Sequence, residues 1–457
     1  MKTYDVLVLS GGTAGTAATK AAHGTGAKVL MFNKGELGGL CILRGCMPTK
    51  TMLHAAHLAH EAAHHHTPGV GHVRPEVDFP AVMANKDAKV KRFKNAKIQG
   101  IEQAGYEVID ARARFTGADT VEADGETYRF TKGAVLASGS VPRLPRLEGV
   151  DSVPVWSSDD VMDLTKAPES AIVLGSGAIG MELAQFLARM GTRVTQVSRR
   201  RIFCDVDPLI SDQMVKVLEA EPNVELVSPC QPQGLSKTEG GVALELQVDA
   251  GPRTIQAAHF VAATGRAADL KGLGLNAAGI QTDGGRVIHG TDMRTTNDKV
   301  FVAGDATGSK LLLHVANWEG EVAGLGAAQV NGEHHVEQRL HMATVFTDPP
   351  LATIGMTEKQ ATDQGIDVVT AHALFAETGR AITMDVQHGA WKVVARKDTG
   401  EILGSQILGP RADDIAHIIG AVMYYRGTAA DLLRMPWYHP TVSEVLLSLA
   451  RELDAQV

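Results

Sequence analysis

The sequence predicts an α/β fold with two βαβ units of the dinucleotide-binding kind and an α+β terminal domain behind them. Three observations carry that expectation. An apolar run, Val6-Leu7-Val8-Leu9, passes through Ser10-Gly11-Gly12-Thr13-Ala14-Gly15 into a small-residue helix reaching Ala22, and then into Val29-Leu30-Met31-Phe32. The same order recurs at Ala171–Leu174, Gly175-Ser176-Gly177-Ala178-Ile179-Gly180, a helix with Leu183, Phe186, Leu187 and Met190 on one face, and Arg193–Val197. Beyond residue 340 the glycine fingerprint is absent. Strands around Thr344–Phe346, Trp391–Ala395 and Ile402–Ile407 and helices around Asp413–Tyr424 and Ser443–Leu453 are expected there instead.

Length supports several domains, because 457 residues exceed the ~150 that usually share one core. Pro/Gly-rich boundaries fall near Pro142–Pro154, just after Ala137-Ser138-Gly139-Ser140 ends a strand, and at Ala263-Thr264-Gly265-Arg266. The expected domains are therefore 1–148, 149–266 and 341–457. Segment 267–340, with Val300-Phe301-Val302-Ala303-Gly304-Asp305, returns to the first of them.

Composition excludes other classes. A net charge of -8 without a dense basic tract argues against a nucleic-acid partner. No run approaches the ~20 apolar residues of a membrane span, and the opening MKTYDVLVLS lacks a signal-peptide pattern, so a cytoplasmic location is expected. Four cysteines in a chain this long do not make a disulfide scaffold, and a close pair among them reads as redox-active or metal-binding.

Each fingerprint has a physical purpose. Gly12 and Gly15 in the first copy, and Gly175, Gly177 and Gly180 in the second, let the backbone approach a pyrophosphate seated on free amides at a helix N-terminus. In the first copy Ser10 takes the first glycine place, and Asn33 stands where an acid normally accepts ribose hydroxyls. In the second that place is Ser198, followed by Arg199 and Arg200. With no carboxylate to repel a 2′-phosphate and two guanidiniums to bind it, NADPH is favoured over NADH; the bland alternative is a solvated basic turn.

Gly38-Gly39-Leu40-Cys41-Ile42-Leu43-Arg44-Gly45-Cys46-Met47-Pro48-Thr49-Lys50 is the segment richest in chemistry. Two thiols five residues apart on the first turn of a helix can close a switchable disulfide, with the helix dipole favouring a thiolate. A zinc site needs two further ligands. Cys204 and Cys230 are remote in sequence and read as ordinary residues, so no metal is expected.

Cys41-x4-Cys46-x-Pro48-Thr49-Lys50, both fingerprints, the Gly139 and Gly265-Arg266 strand ends, Gly304-Asp305, Phe346-Thr347-Asp348-Pro349-Pro350 and His439-Pro440-Thr441-Val442-Ser443-Glu444 together resemble the flavoprotein disulfide reductases. This is the family of dihydrolipoamide dehydrogenase, glutathione reductase and mercuric reductase, and the resemblance covers essentially the whole chain. It implies a Rossmann-like FAD domain, a Rossmann-like NAD(P) domain and a C-terminal domain pairing two subunits into a homodimer. By the same resemblance Gly39, Gly139 and Gly265 lie along the cofactors and Asp305 bonds the flavin's ribityl chain. Lys50 lies near the flavin N5 and pairs with Glu182. Cys46 sits against the flavin, and Cys41 exchanges with a substrate disulfide. His439 of the partner subunit, oriented by Glu444, moves the exchange proton.

The implied activity is FAD-dependent NAD(P)H:disulfide oxidoreduction. His314-Val315-Ala316-Asn317-Trp318-Glu319-Gly320 looks more like dihydrolipoamide dehydrogenases, whereas Arg199-Arg200 points toward NADPH enzymes. The alternatives are a metal-ion, quinone or oxygen reductase on the same scaffold, or a non-enzymatic redox-sensing dimer. Ala178 replaces a tyrosine that covers the nicotinamide face in several relatives. Leu43-Arg44 replaces an asparagine-containing spacer; its cation either favours a Cys41 thiolate or attracts an anionic substrate, with a plain exposed arginine as the equal alternative. The lack of a terminal cysteine pair makes mercury the weaker substrate. Seven histidines lie between His54 and His72; they are read as a solvated helix face, with a soft metal or charged substrate as the alternative.

Overall fold

The computed structural model describes residues 1–337 and 339–457. They form two compact units: 1–51, 84–143 and 266–337 make the first, and 52–83, 144–265 and 338–457 (less residue 338) the second.

In the first unit, strand β1 (Lys2–Leu9) is central. It pairs in parallel with β2 (Val29–Phe32), Val6 opposite Val29, and on its other side with the strand Glu126–Leu136. Val6–Leu9 and all of β2 are buried, as a continuous apolar run requires when both faces of a parallel sheet are covered. Alternation then sorts the side chains. Leu7, Leu9, Leu30 and Phe32 face a core with Phe115 and Phe130, while Val6, Val8 and Met31 face Ala14, Ala18 and Phe301. The strand Val300–Val302 joins the same sheet in parallel beside Glu126–Leu136.

Helix α1 (Thr13–His23) is alanine- and threonine-rich because another backbone lies against it. A Cβ on Gly320 would meet the Ala14 carbonyl oxygen at 2.3 Å, and one on Gly324 the Ala18 oxygen at 2.4 Å. The helix Leu313–Ala327 therefore packs on α1 almost backbone to backbone.

In the second unit, Ser170–Leu174 and Arg193–Val197 flank the helix Ala178–Arg189 in an all-parallel sheet completed by Val224–Val227, His259–Ala262 and Val155–Trp156. A three-stranded antiparallel meander occupies residues 231–257. Beyond residue 341, a five-stranded antiparallel sheet packs against helices Ala412–Tyr424 and Val445–Asp454 around the fully buried Trp391.

Two departures from expectation have plain causes. Residues 52–83 group with the second unit rather than the first, because Met52, Leu53, Ala56, Phe79 and Met83 share a core with Leu183, Phe186 and Leu187. The terminal sheet also gains Leu351–Gly355 and Val368–Leu374. The first begins right after Pro349-Pro350, which reads as a turn. The second is diluted by alanine and histidine, so neither shows a clean period of two.

Candidate functional site

The first fingerprint makes a cradle. The N-cap of α1 is Gly12, with no side chain bonded to the first-turn amides, so these point outward at the positive end of the helix. A Cβ on Gly15 would sit 1.7 Å from the Ser10 carbonyl oxygen, and only glycine permits that closeness. Ser10 itself has φ +106, in the region glycine favours, and Gly175 of the second copy has φ +126. The same turn is thus built once with glycine and once against a serine's preference. Gly39 (φ +69) comes so near that its Cβ would lie 2.7 Å from the Gly12 Cα.

Asn33 is buried, and both ends of its amide hold backbone. Oδ1 accepts from the Gly11 N–H at 3.1 Å, and Nδ2 donates to the Gly35 carbonyl at 3.0 Å. One lone pair of Oδ1 and one N–H of Nδ2 remain for a cofactor hydroxyl. Gly139 (φ +77) has open space where a Cβ would be. The neighbouring Ser140 hydroxyl donates to Asp305 Oδ2 at 2.5 Å and accepts from Arg266 Nε at 2.9 Å. Asp305 is thereby anchored inside the short turn Gly304–Thr307.

Glu319, which sequence reasoning quoted only as part of a stretch, is 4% exposed and accepts from the Gly304 N–H at 2.8 Å. Burial pushes its carboxyl up to about 7; the Gly304 hydrogen bond opposes the rise and Asp305 adds to it. The Ser138 hydroxyl is buried with no hydrogen-bond partner among the described residues. Uncapped amides, glycines cleared of Cβ, an orphaned hydroxyl and an anchored carboxylate fit a dinucleotide such as FAD.

The two thiols lie in the same unit. Cys41 sits in α2 (Gly39–Leu43) and Cys46 is the first residue of α3 (Cys46–His64); both are half-buried and unbonded to each other as a disulfide. The expectation of one shared helical turn is thus corrected. Arg44 (φ -140, ψ 3) ends α2, and the Gly45 carbonyl accepts both the Thr49 amide and its hydroxyl, starting a new helix. Only Cys46 occupies the N-terminus of a long helix, where the dipole favours a thiolate. The Cys41 thiol is held well above its ordinary value, first by its hydrogen bond to the Cys46 sulfur and then by burial, while Lys50 opposes the shift. Arg44 is exposed, as the plain alternative for that position has it.

The second fingerprint lies in the second unit. A Cβ on Gly180 would meet the Gly175 oxygen at 2.0 Å, and one on Gly175 the Ala263 oxygen at 2.2 Å. Gly177 caps the helix with no side-chain bond, and Gly265 (φ +101) is open on its Cβ side. Ser198 is buried. Its hydroxyl donates to the Arg200 carbonyl at 2.7 Å and lies 2.7 Å from Ser176 Oγ, while Ser228 Oγ donates to the same carbonyl at 2.9 Å. Arg199 and Arg200 are exposed, and among the described residues no carboxylate pairs with them. Arg201, by contrast, is tied to Ser211 Oγ and Asp212. Cys230 is buried with its thiol donating to the Ser198 carbonyl, and Cys204 is exposed.

Glu182, 4% exposed, accepts from the Phe346 N–H at 2.9 Å. His439 is exposed, its Nδ1 3.0 Å from each oxygen of Glu444. Donation from Nδ1 to that carboxylate leaves Nε2 as the acceptor, the tautomer a proton shuttle needs. The histidines after Cys46 are not one solvated face, which corrects that expectation. His57 Nδ1 accepts from Arg189 Nη1 at 2.8 Å, and His60 Nδ1 lies 3.3 Å from Glu221 Oε1. Arg189 also forks onto Glu221 at 2.8 and 2.9 Å and reaches Asp348 at 2.8 Å. Of this buried network, only Asp348 and the histidines lay in segments that sequence reading singled out.

Comparison with known proteins agrees with this geometry. The family profile "Pyridine nucleotide-disulphide oxidoreductase" matches residues 4–320, and that family's dimerisation domain matches 342–450. The chain is 32% identical over 454 residues to dihydrolipoyl dehydrogenase from Geobacillus stearothermophilus, covering 98% of this chain and 95% of that one. It is 30% identical over 458 residues to mercuric reductase from Lysinibacillus sphaericus, covering 99% and 83%. Among solved structures, the Cu(II) complex of the HOCl-induced flavoprotein disulfide reductase RclA from Escherichia coli shares the fold. Its TM-score is 0.85 at 23% identity, over 99% of this chain and 100% of that one.

Proposed function

The chain belongs to the pyridine nucleotide-disulphide oxidoreductases and is an FAD-dependent enzyme of the dihydrolipoamide dehydrogenase type; from that premise we propose that it uses NADPH to reduce a small disulfide through Cys46 and Cys41, as a homodimer in the cytoplasm. The observation that carries the proposal is the pair of mutually hydrogen-bonded thiols in the unit that also holds the uncapped α1 cradle and Asp305.

Gly12, Gly15, Gly39, Asn33, Gly139 and Asp305 would hold FAD, which would supply two-electron transfer between nicotinamide and the cysteine pair. The residues of the chain do the rest. Gly175, Gly177 and Gly180 receive the nicotinamide nucleotide's pyrophosphate, Ser198 shapes the turn for its ribose, and Arg199 and Arg200 take a 2′-phosphate. Gly265 leaves room beside that strand end.

Because Cys41 retains its proton, it needs a base before it can attack. His439 Nε2 of the partner subunit, fixed by Glu444, takes that proton. The Cys41 sulfur then bonds one substrate sulfur while the substrate S–S bond breaks. The departing thiolate receives the proton from His439. Cys46 thiolate next attacks the Cys41 sulfur, forming the Cys41–Cys46 disulfide and expelling the second substrate thiolate, which is protonated from water. One disulfide becomes two thiols as the protein pair is oxidised.

Anaerobic titration with NADPH tests the path. Cys41→Ser should leave the flavin reducible by NADPH and lower disulfide turnover at least a thousandfold. Retained turnover would overturn the assigned roles. The mercuric reductases among the relatives favour a second reading, reduction of a soft metal ion by the same thiols. Hg(II)-dependent NADPH oxidation exceeding that with every disulfide offered would select it.

A further inference from the structure

We propose that His60 and His64 of α3 form a two-imidazole site for a borderline divalent transition metal, with Glu221 as the carboxylate that orients His60. The site lies wholly within the second unit and is independent of the thiol chemistry.

The two histidines are one helical turn apart, and their ring centroids are 4.8 Å from each other. With a metal–nitrogen bond of ~2.1 Å, a metal in line with a ring nitrogen lies about 3.2 Å from that ring's centroid. Two centroids 4.8 Å apart then subtend roughly 97° at the metal. That angle lies between the ~90° of a tetragonal site and the ~109° of a tetrahedral one, so the ring spacing suits shared coordination.

The tautomer is also prepared. His60 Nδ1 lies 3.3 Å from Glu221 Oε1, the carboxylate–histidine pairing that leaves Nε2 with a free lone pair and raises its basicity toward a metal. Charges acting on His60 are Glu221, Asp348 and Arg189, and the Arg189 guanidinium is matched by two carboxylates. His64 is exposed, which gives an ion access. Among the described residues no group of three or more His, Cys, Asp or Glu side chains is assembled, so water completes the shell. Imidazole donors favour Cu(II), Ni(II) and Zn(II), with Cu(II) bound most tightly.

The test uses FAD-loaded, oxidised enzyme carrying Cys204→Ser, which removes the exposed thiol. Equilibrium dialysis with Ni(II) alone at pH 7.5 should show one ion per chain at micromolar affinity. His64→Ala should weaken this at least tenfold, whereas His66→Ala should leave it unchanged. Ni(II) should raise the melting temperature of the parent and not of His64→Ala, whose melting without metal should match the parent. Cu(II) on the same protein should give an electron paramagnetic resonance spectrum with coupling to two nitrogens. Unchanged Ni(II) affinity in His64→Ala, or in both His64→Ala and His64→Gln if either melts early, overturns the site; so does the absence of binding below millimolar Ni(II).

Discussion

The two nucleotide units use one backbone plan with different chemistry in it. Gly15 and Gly180 do identical work: each lacks a Cβ because the carbonyl oxygen of the turn's first residue lies where that atom would be, at 1.7 and 2.0 Å. The turns themselves differ. Gly175 adopts φ +126 freely, while Ser10 adopts φ +106 at a cost. The ends of the second strands differ more. Asn33 spends its amide on Gly11 and Gly35, whereas Ser198 and Ser228 tie down the Arg200 carbonyl and leave two guanidiniums in solvent. The first site also contains buried acid, Glu319 beside Asp305, whereas the second offers cations. Close approach to phosphate is common to both copies; the charge that chooses the cofactor is particular to each.

The harshest way to break the comparison is to fill the shared gap. Gly15→Ala should yield protein without bound flavin, read as loss of its visible absorbance. Gly180→Ala should keep the flavin but abolish its reduction by NADPH. If either change disabled both sites equally, the copies would not act independently.

Arg199→Ala with Arg200→Ala should raise the KM for NADPH tenfold or more, about 1.4 kcal/mol or above, with kcat and the KM for NADH little changed. Equal effects on the two nucleotides would remove the 2′-phosphate assignment.

Buried acid in the first unit predicts a pH effect. Glu319 titrates at about 7 when folded and near 4.5 otherwise, so the folded chain holds this proton more tightly. Its contribution to stability is full below about 4.5 and falls as pH rises toward 7. Glu319→Gln, which keeps an acceptor for the Gly304 amide, should match the parent below that range. Above pH 7 it should be more stable by about 1–3 kcal/mol in urea denaturation. A constant difference at all pH values would place the effect elsewhere.

Ser10→Gly should give the smallest change, a gain of about 0.5–1 kcal/mol from relief of the positive φ, partly offset by a more flexible unfolded chain. A loss would mean that the serine side chain makes a contribution glycine lacks.

Much of this organisation was legible in the sequence, for identifiable reasons. A βαβ unit announces itself because apolar runs, glycine turns and helical periodicity are local, so the strands at 29–32, 171–174 and 193–197 were placed within a residue, and the first, read from Val6, begins four residues earlier at Lys2. The thiol pair and His439-x4-Glu444 were readable as motifs, since in each the partners lie only five residues apart. Breaks in α2 at Arg44 and the escape of residues 52–83 into the second core were not readable, because neighbouring backbone and distant side chains decide them.

By itself the sequence determined where glycine had to stand, that two thiols fall five residues apart, and that Arg199 and Arg200 follow the second βαβ unit. Those properties reside in single side chains and short spacings. Only the tertiary structure decided that Cys41 keeps its proton, that Asn33 is occupied, that Glu319 titrates near neutrality and that His57 and His60 leave the solvent for Arg189 and Glu221. Burial and hydrogen-bond partners set those outcomes, and they are supplied by segments far apart in the chain.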